Sequence, residues 1–154
     1  MYDLEYQDSA FVAEADAWTA SSLVKSGVKT YECDGSTILG GYNILAGNTG
    51  QYFQRIYTDL PTHNVIYLSM KVYIIDTWDG DTASDTIEFY FDGAVIDCWY
   101  IQAYNSKYAT RNICGASSKD IEPIEVYATI PHTASTFTWK VISLLDQGTT
   151  DESF

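Results

Sequence analysis

The sequence has few basic residues and no long apolar run. Lys and Arg total 8 against 21 Asp and Glu, so the formal net charge is −13. This excess of negative charge repels nucleic-acid phosphates and anionic lipid headgroups, so neither is an expected partner. No apolar run approaches the roughly 20 residues that a transmembrane helix needs, so no transmembrane segment is predicted. Divalent cations, neutral sugars and other copies of the chain remain as candidate partners.

Convincing helical periodicity is also missing, whereas strand signals are frequent. The chain has 154 residues, which fits one domain, and 13 of them are Tyr, a residue that favours half-buried strands. Asp92-Gly93 is a strong hairpin signal. Alternating or apolar runs predict strands at 24–31, 52–58, 65–75, 86–91, 94–104, 124–130 and 135–145. The pattern predicts an all-β fold, an antiparallel sandwich or jelly roll.

The three cysteines, Cys33, Cys98 and Cys114, do not form a C-x-x-C pair. A zinc site built from them is therefore not expected. An odd number permits one disulfide and one remaining thiol, and the residues alone leave all three pairings open.

A series of short motifs is the most specific feature of the chain. The motifs, in order, are Cys33, LGGY at 39–42, LPTH at 60–63, IDTWD at 75–79, YFDG at 90–93, NICG at 112–115, HTAST at 132–136, LDQ at 145–147 and DESF at 151–154. The series resembles an extracellular β-sandwich domain that is repeated in ciliate surface proteins, and the resemblance covers about residues 18 to 154. It implies a jelly-roll-like antiparallel sandwich with an extracellular or cell-surface location and no catalytic activity.

The resemblance also has consequences for the cysteines and for both ends of the chain. It implies a Cys33–Cys114 disulfide and leaves Cys98 without a counterpart, as a buried thiol or as a reactive or intersubunit cysteine. The family pattern continues past its DESWG motif into one more strand, so we expect a sandwich that lacks its last strand. Residues 1–17 precede the family pattern and form an N-terminal extension.

The N-terminal extension contains a strictly alternating segment. Tyr2, Leu4 and Tyr6 alternate with polar residues, which predicts an amphipathic strand. A sandwich with an open edge and a spare strand can assemble by strand complementation, and a head-to-tail contact that does not close gives a filament. We therefore expect a homopolymer at the cell surface. Two alternatives are that the strand completes its own sandwich and that the sequence is cut short.

Acidic residues cluster in a loop and near the end of the sequence. The loop carries Asp76, Asp79, Asp81 and Asp85, and the last nine residues add Asp146, Asp151 and Glu152. Carboxylate oxygens are the ligands that Ca²⁺ prefers. If the two segments meet, Asp76, Asp79, Asp151 and Glu152 are the expected calcium ligands. The alternative is a solvated acidic loop whose Asp side chains cap turns.

Trp78 is the candidate for carbohydrate contact, because it lies inside the acidic loop. Sugar faces stack on aromatic rings, although Trp is also ordinary core. His63, His132 and Ser135 do not form a recognisable catalytic motif, and the sequence has no G-x-S-x-G elbow, so an enzyme is not predicted. The alternative to the filament subunit is therefore a calcium-assisted carbohydrate-binding or adhesion module.

Overall fold

The computed structural model describes residues 14–46, 50–78, 85–92, 94–102, 108–116 and 120–154, with the backbone alone over 94–102. Ten strands lie within these residues. Their bounds are β1 Thr19–Ala20, β2 Thr30–Cys33, β3 Ser36–Leu39, β4 Tyr52–Tyr57, β5 Val65–Asp76, β6 Thr86–Phe91, β7 Ala94–Gln102, β8 Ile121–Pro131, β9 Phe137–Leu144 and β10 Glu152–Ser153. No helix in the described residues is long and apolar enough to cross a membrane.

The strands form two main antiparallel sheets and a hairpin. The larger sheet has the order β1-β4-β9-β6-β7, the smaller one has the order β10-β5-β8, and β2 pairs with β3. Both main sheets supply side chains to one core, including Val72, Ile74 and Ile130 from the smaller sheet. Phe89 and Trp139 come from the larger sheet. The predicted all-β antiparallel sandwich is therefore confirmed, while its jelly-roll connectivity stays a prediction.

Most strand predictions agree with the structure to within three residues, and one is wrong. The prediction of a strand over 24–31 fails because Gly27 has a φ of 80° and the Val28 amide donates to the Lys25 carbonyl, which closes a turn. Strand β2 begins only at Thr30. The Asp92-Gly93 hairpin is confirmed, since β6 pairs antiparallel with β7 and Asp92 has a positive φ of 49°.

The hydrogen-bond directions of β5 follow from its pairing with β8. Val65 faces Pro131 in this ladder, and in the same register the His132 amide donates to the Asn64 carbonyl at 3.2 Å. Opposite residues alternate between hydrogen-bonded and non-hydrogen-bonded pairs. The backbone groups of even-numbered β5 residues therefore point towards β8, and those of odd-numbered residues point towards the opposite edge.

Strand β10 provides an independent check of this alternation. It lies on the opposite edge of β5 and pairs only with Ile75 and Asp76 there. In the same register the Thr77 amide donates to the Asp151 carbonyl at 2.9 Å, so odd-numbered residues face β10. Over Val65–Ile74, no strand among the described residues covers this edge.

The described part of the N-terminal region packs against the sandwich. Ala15 is buried, and Glu14 forms a 2.9 Å ion pair with Arg55 of β4. The Lys29 ammonium group donates to the Ala15 carbonyl at 3.2 Å. Trp18 packs against the core between the sheets and against a second hydrophobic cluster that contains Ile44, Leu45 and Phe53. Contacts with the sandwich therefore extend back to residue 14.

Candidate functional site: two groups of buried carboxylates

The first group of carboxylates, Asp76 and Asp120, lies where β5 ends. Asp76 has a φ of 63°, which turns the chain out of the strand, and both residues are 1% exposed. One oxygen of Asp120 accepts a hydrogen bond from the Asp76 amide at 2.7 Å. The other oxygen accepts from the amides of Ile113 and Cys114 at 2.6 and 3.0 Å. The Ala116 amide donates to the Asp76 carboxylate at 3.1 and 3.0 Å.

These hydrogen bonds attach the NICG segment to the end of β5. Gly115 is required there, since it has a φ of 88° and an added Cβ would collide with the Asp76 carboxylate and the Ile75 side chain. Cys114 also forms a disulfide with Cys33, which confirms the pairing implied by the resemblance. Asp76 and Asp120 therefore hold a loop, because backbone amides occupy their oxygens.

The second group consists of Asp85, Asp146 and Glu152. Asp85 is the residue before β6, Asp146 follows β9, and Glu152 begins β10. One carboxylate oxygen from each residue lies within 4.8 Å of the others. Asp85 and Glu152 are 0% and 1% exposed, whereas Asp146 is exposed. Three carboxylates from three separated parts of the chain thus meet at one partly solvent-accessible position.

Glu152 has an unusual electrostatic environment in this group. Its Oε2 atom accepts a hydrogen bond from the Gln147 amide at 3.1 Å, but no described residue donates to its buried Oε1 atom. Burial raises the pKa of Glu152 to about 8, and the Gln147 hydrogen bond opposes this shift. The negative charges of Asp85 and Asp146 and a side-chain hydrogen bond with Asp85 add to it. The site therefore favours a proton or a cation at Glu152.

The structure brings together only part of the predicted calcium set. Asp76 and Glu152 are direct partners in the β5–β10 ladder, but the Asp76 carboxylate points to the NICG segment and that of Glu152 to Asp85 and Asp146. Asp151 is exposed and outside the carboxylate group, and Asp79 lies outside the described residues. Asp85 and Asp146 belong to the acidic segments noted in the sequence, yet no local signal distinguishes them from their neighbours.

Trp78 is part of the core in this structure. It is 0% exposed, and its indole nitrogen donates to the Ser153 carbonyl at 3.0 Å. A ring without accessible surface offers no face to a sugar, so Trp78 is not a stacking platform here. It instead links the end of β5 to β10.

The two histidines lie together between loops. The His63 Nε2 and His132 Nδ1 atoms are 2.7 Å apart, and His63 Nδ1 lies 2.6 Å from the Pro61 carbonyl oxygen. Because that carbonyl can only accept, His63 Nδ1 is the donor. The His132 Nε2 atom lies 3.4 Å from Asp92. The His132 ring also packs edge-on against Phe91 and Phe137. The described contacts of the two rings are therefore with loop backbone, with each other, with one carboxylate and with two core aromatic rings.

Two further predicted features fall outside the described side chains. The segment with Tyr2, Leu4 and Tyr6 lies outside the described residues, and Cys98 is described only by the backbone of β7.

Comparison with known proteins finds no matching family model, curated protein or solved structure.

Proposed function

We propose that this chain is an extracellular structural module that assembles with other copies into a cell-surface filament by adding a strand to the open edge of β5. The observation that carries the proposal is the uncovered edge over Val65–Ile74 within the described residues. The resemblance to ciliate surface modules supports it, as does the disulfide, since disulfides persist in oxidising compartments outside the cytosol.

The β5 edge is better suited to pairing than the outer edge of β8. Strand β8 contains Pro123 and Pro131, and Pro131 occupies a position whose backbone groups point away from β5. Proline has no amide hydrogen, so it interrupts strand addition. Strand β5 has no proline, and its odd-numbered residues from Val65 to Tyr73 direct their amides and carbonyls to the open edge. An added strand can therefore form a continuous ladder on β5.

The proposed occupant is the 2–7 segment of a second copy. Its alternation would place Tyr2, Leu4 and Tyr6 on one face and Asp3 and Glu5 on the other. The smaller sheet has the same two-sided character, with buried or half-buried even-numbered residues and exposed Tyr67, Ser69 and Lys71. The acidic face of the added strand would lie on the side of the Lys71 ammonium group. Donor and acceptor are different surfaces, so the contact is head-to-tail.

Substituting Ser69 tests this proposal with little change to the β5–β8 ladder. Ser69→Pro removes an amide that points to the open edge, and proline is tolerated at such edge positions. We expect the unmodified chain and the matched control Ser69→Ala to form filaments in negative-stain images. We expect Ser69→Pro and a chain lacking residues 1–8 to sediment as monomers.

Two outcomes would count against the proposal. Filaments of Ser69→Pro indistinguishable from those of Ser69→Ala would exclude the β5 edge as the contact. A monomeric unmodified chain at all concentrations would exclude self-assembly. Circular dichroism of each variant distinguishes a lost contact from a lost fold.

One observation favours a second candidate, the carbohydrate-binding or adhesion module. Tyr67 and Tyr127 are 71% and 68% exposed. In the β5–β8 register Tyr67 faces Thr129 and Tyr127 faces Ser69, so the two rings are diagonal neighbours on the outer surface of the smaller sheet. Exposed aromatic rings can stack on sugars. A monomer retained on a glycan array, with retention lost in Tyr67→Ala, would favour this function over assembly.

A further inference from the structure

The carboxylates of Asp85, Asp146 and Glu152 form a group distinct from Asp76 and Asp120, which hold the NICG loop. One oxygen from each lies within 4.8 Å of the other two. Three negative charges at this separation repel one another, and burial of two of them strengthens the repulsion. Full ionisation of the group is therefore unfavourable unless a proton or a cation lies among the oxygens.

A second observation points to a ligand at the same place. Glu152 is 1% exposed, and its Oε1 atom receives no hydrogen bond from the described residues. A buried carboxylate oxygen that no protein group meets is unfavourable unless water or an ion binds it. In contrast, both oxygens of the equally buried Asp120 accept backbone hydrogen bonds. The fold thus leaves one oxygen of a buried carboxylate in the acidic group without a protein donor.

We propose that Asp85, Asp146 and Glu152 bind one Ca²⁺ ion. All three donors are carboxylates, which suit a hard cation and not the softer metals that select nitrogen or sulfur. Ca²⁺ accepts six to eight oxygen ligands in flexible geometry, whereas Mg²⁺ requires a near-ideal octahedron. Glu152 also lines a small cavity with Ser143, Gln147 and Thr149, which has room for about one water molecule.

The ion would connect three strands at one end of the sandwich. Asp85 precedes β6, Asp146 follows β9, and Glu152 belongs to β10. Both β6 and β9 lie in the larger sheet, while β10 lies in the smaller one. Calcium would therefore fasten β10 to the larger sheet, across the core.

The test is a calcium titration of the full chain after removal of metal with EDTA and dialysis into a calcium-free buffer at pH 7.5. We expect saturable calorimetric binding of one Ca²⁺ per chain and a rise in melting temperature. Glu152→Gln and Asp85→Asn each remove a charged ligand and should weaken the affinity by about tenfold or more. The matched control Asp151→Asn removes an adjacent exposed carboxylate outside the group and should change the affinity less than about twofold.

A second readout locates the ion. Trp78 donates to the carbonyl of Ser153, the residue after Glu152, so it is a suitable sensitiser for bound terbium. We expect terbium luminescence excited through tryptophan, displaced by calcium and lost in Glu152→Gln. Glutamine removes a buried negative charge, so this variant should fold, and its melting curve verifies this.

Three results would overturn the proposal. One is the absence of saturable binding to the unmodified chain at millimolar calcium. Another is an equal loss of affinity in Asp151→Asn and Glu152→Gln, which would indicate diffuse attraction to an acidic surface. The third is tight calcium binding that persists unchanged in both Glu152→Gln and Asp85→Asn, which would place the ion elsewhere.

Discussion

Asp76 and Glu152 are paired residues on neighbouring strands, yet their carboxylates have opposite environments. Asp76 and Asp120 accept hydrogen bonds from backbone amides of the chain segments that they join. Glu152 lies against two other carboxylates, and one of its oxygens receives no hydrogen bond from the described residues. Burial alone therefore does not distinguish the two environments, because Glu152, Asp76 and Asp120 are each 1% exposed. The difference is that backbone amides donate hydrogen bonds to the Asp76 and Asp120 carboxylates, whereas one Glu152 oxygen receives none from the described residues.

Removing a satisfied carboxylate should have the largest effect on stability. Asp120→Ala leaves the amides of Asp76, Ile113 and Cys114 without their acceptor. We expect the free energy of unfolding to fall by about 3 kcal/mol or more, measured by urea denaturation with the disulfide intact. Asp151→Asn, at an exposed position, is the control and should change it by less than about 0.5 kcal/mol. A loss below 1 kcal/mol in Asp120→Ala would mean that water replaces the carboxylate.

The close approach of the NICG loop to Asp76 gives a second test of the satisfied group. Gly115→Ala combines a positive φ with a collision against Asp76 and Ile75, whereas Gly35→Ala has a similar φ of 78° and no atom within 4 Å of the added Cβ. We expect Gly35→Ala to lower the free energy of unfolding by about 1 kcal/mol because of backbone strain. Gly115→Ala should lower it by clearly more, because the collision adds to that strain. Equal melting temperatures for the two variants would show that the loop can move away from Asp76 at little cost.

The unsatisfied group should give a change in stability that depends on pH. In the metal-free chain the folded pKa of Glu152 is about 8, above its ordinary value of 4.5. Between these values the folded state holds a proton that the unfolded state has released, so stability falls as pH rises. The slope is at most about 1.4 kcal/mol per pH unit.

Comparison with Glu152→Gln isolates this contribution, because the variant cannot titrate at residue 152. We expect the difference in unfolding free energy, unmodified chain minus variant, to decrease from pH 4.5 to pH 8 when measured in EDTA. A difference that stays constant across this range would show that Glu152 ionises normally in the folded protein.

The sequence was sufficient for the parts of the fold that depend on periodicity. The long apolar run of β5 and the Asp92-Gly93 turn are local signals, and both lie where they were predicted. The segment 24–31 was predicted wrongly because a left-handed glycine overrode its β propensity. The disulfide followed from the motif series, since composition left three pairings open.

The carboxylate groups could not be predicted in the same way. Asp76, Asp85, Asp146 and Glu152 are all acidic residues near turns, and only tertiary packing decides which of them meet amides and which meet each other. Trp78 illustrates the same limit. Its acidic neighbours in the sequence indicated an exposed ring. In the structure Trp78 follows the end of β5, and its buried indole donates a hydrogen bond to the Ser153 carbonyl of β10.

The Cys33–Cys114 bridge has a mechanical consequence for a module under tension. The bridged residues are 81 positions apart, which corresponds to about 280 Å of extended chain. A pulling force applied to the chain before Cys33 and after Cys114 is transmitted through the disulfide bond. The residues between the two cysteines are then not stretched. Strand β5 lies inside the shielded segment. Oxidised modules should therefore show a much shorter extension on forced unfolding than reduced ones.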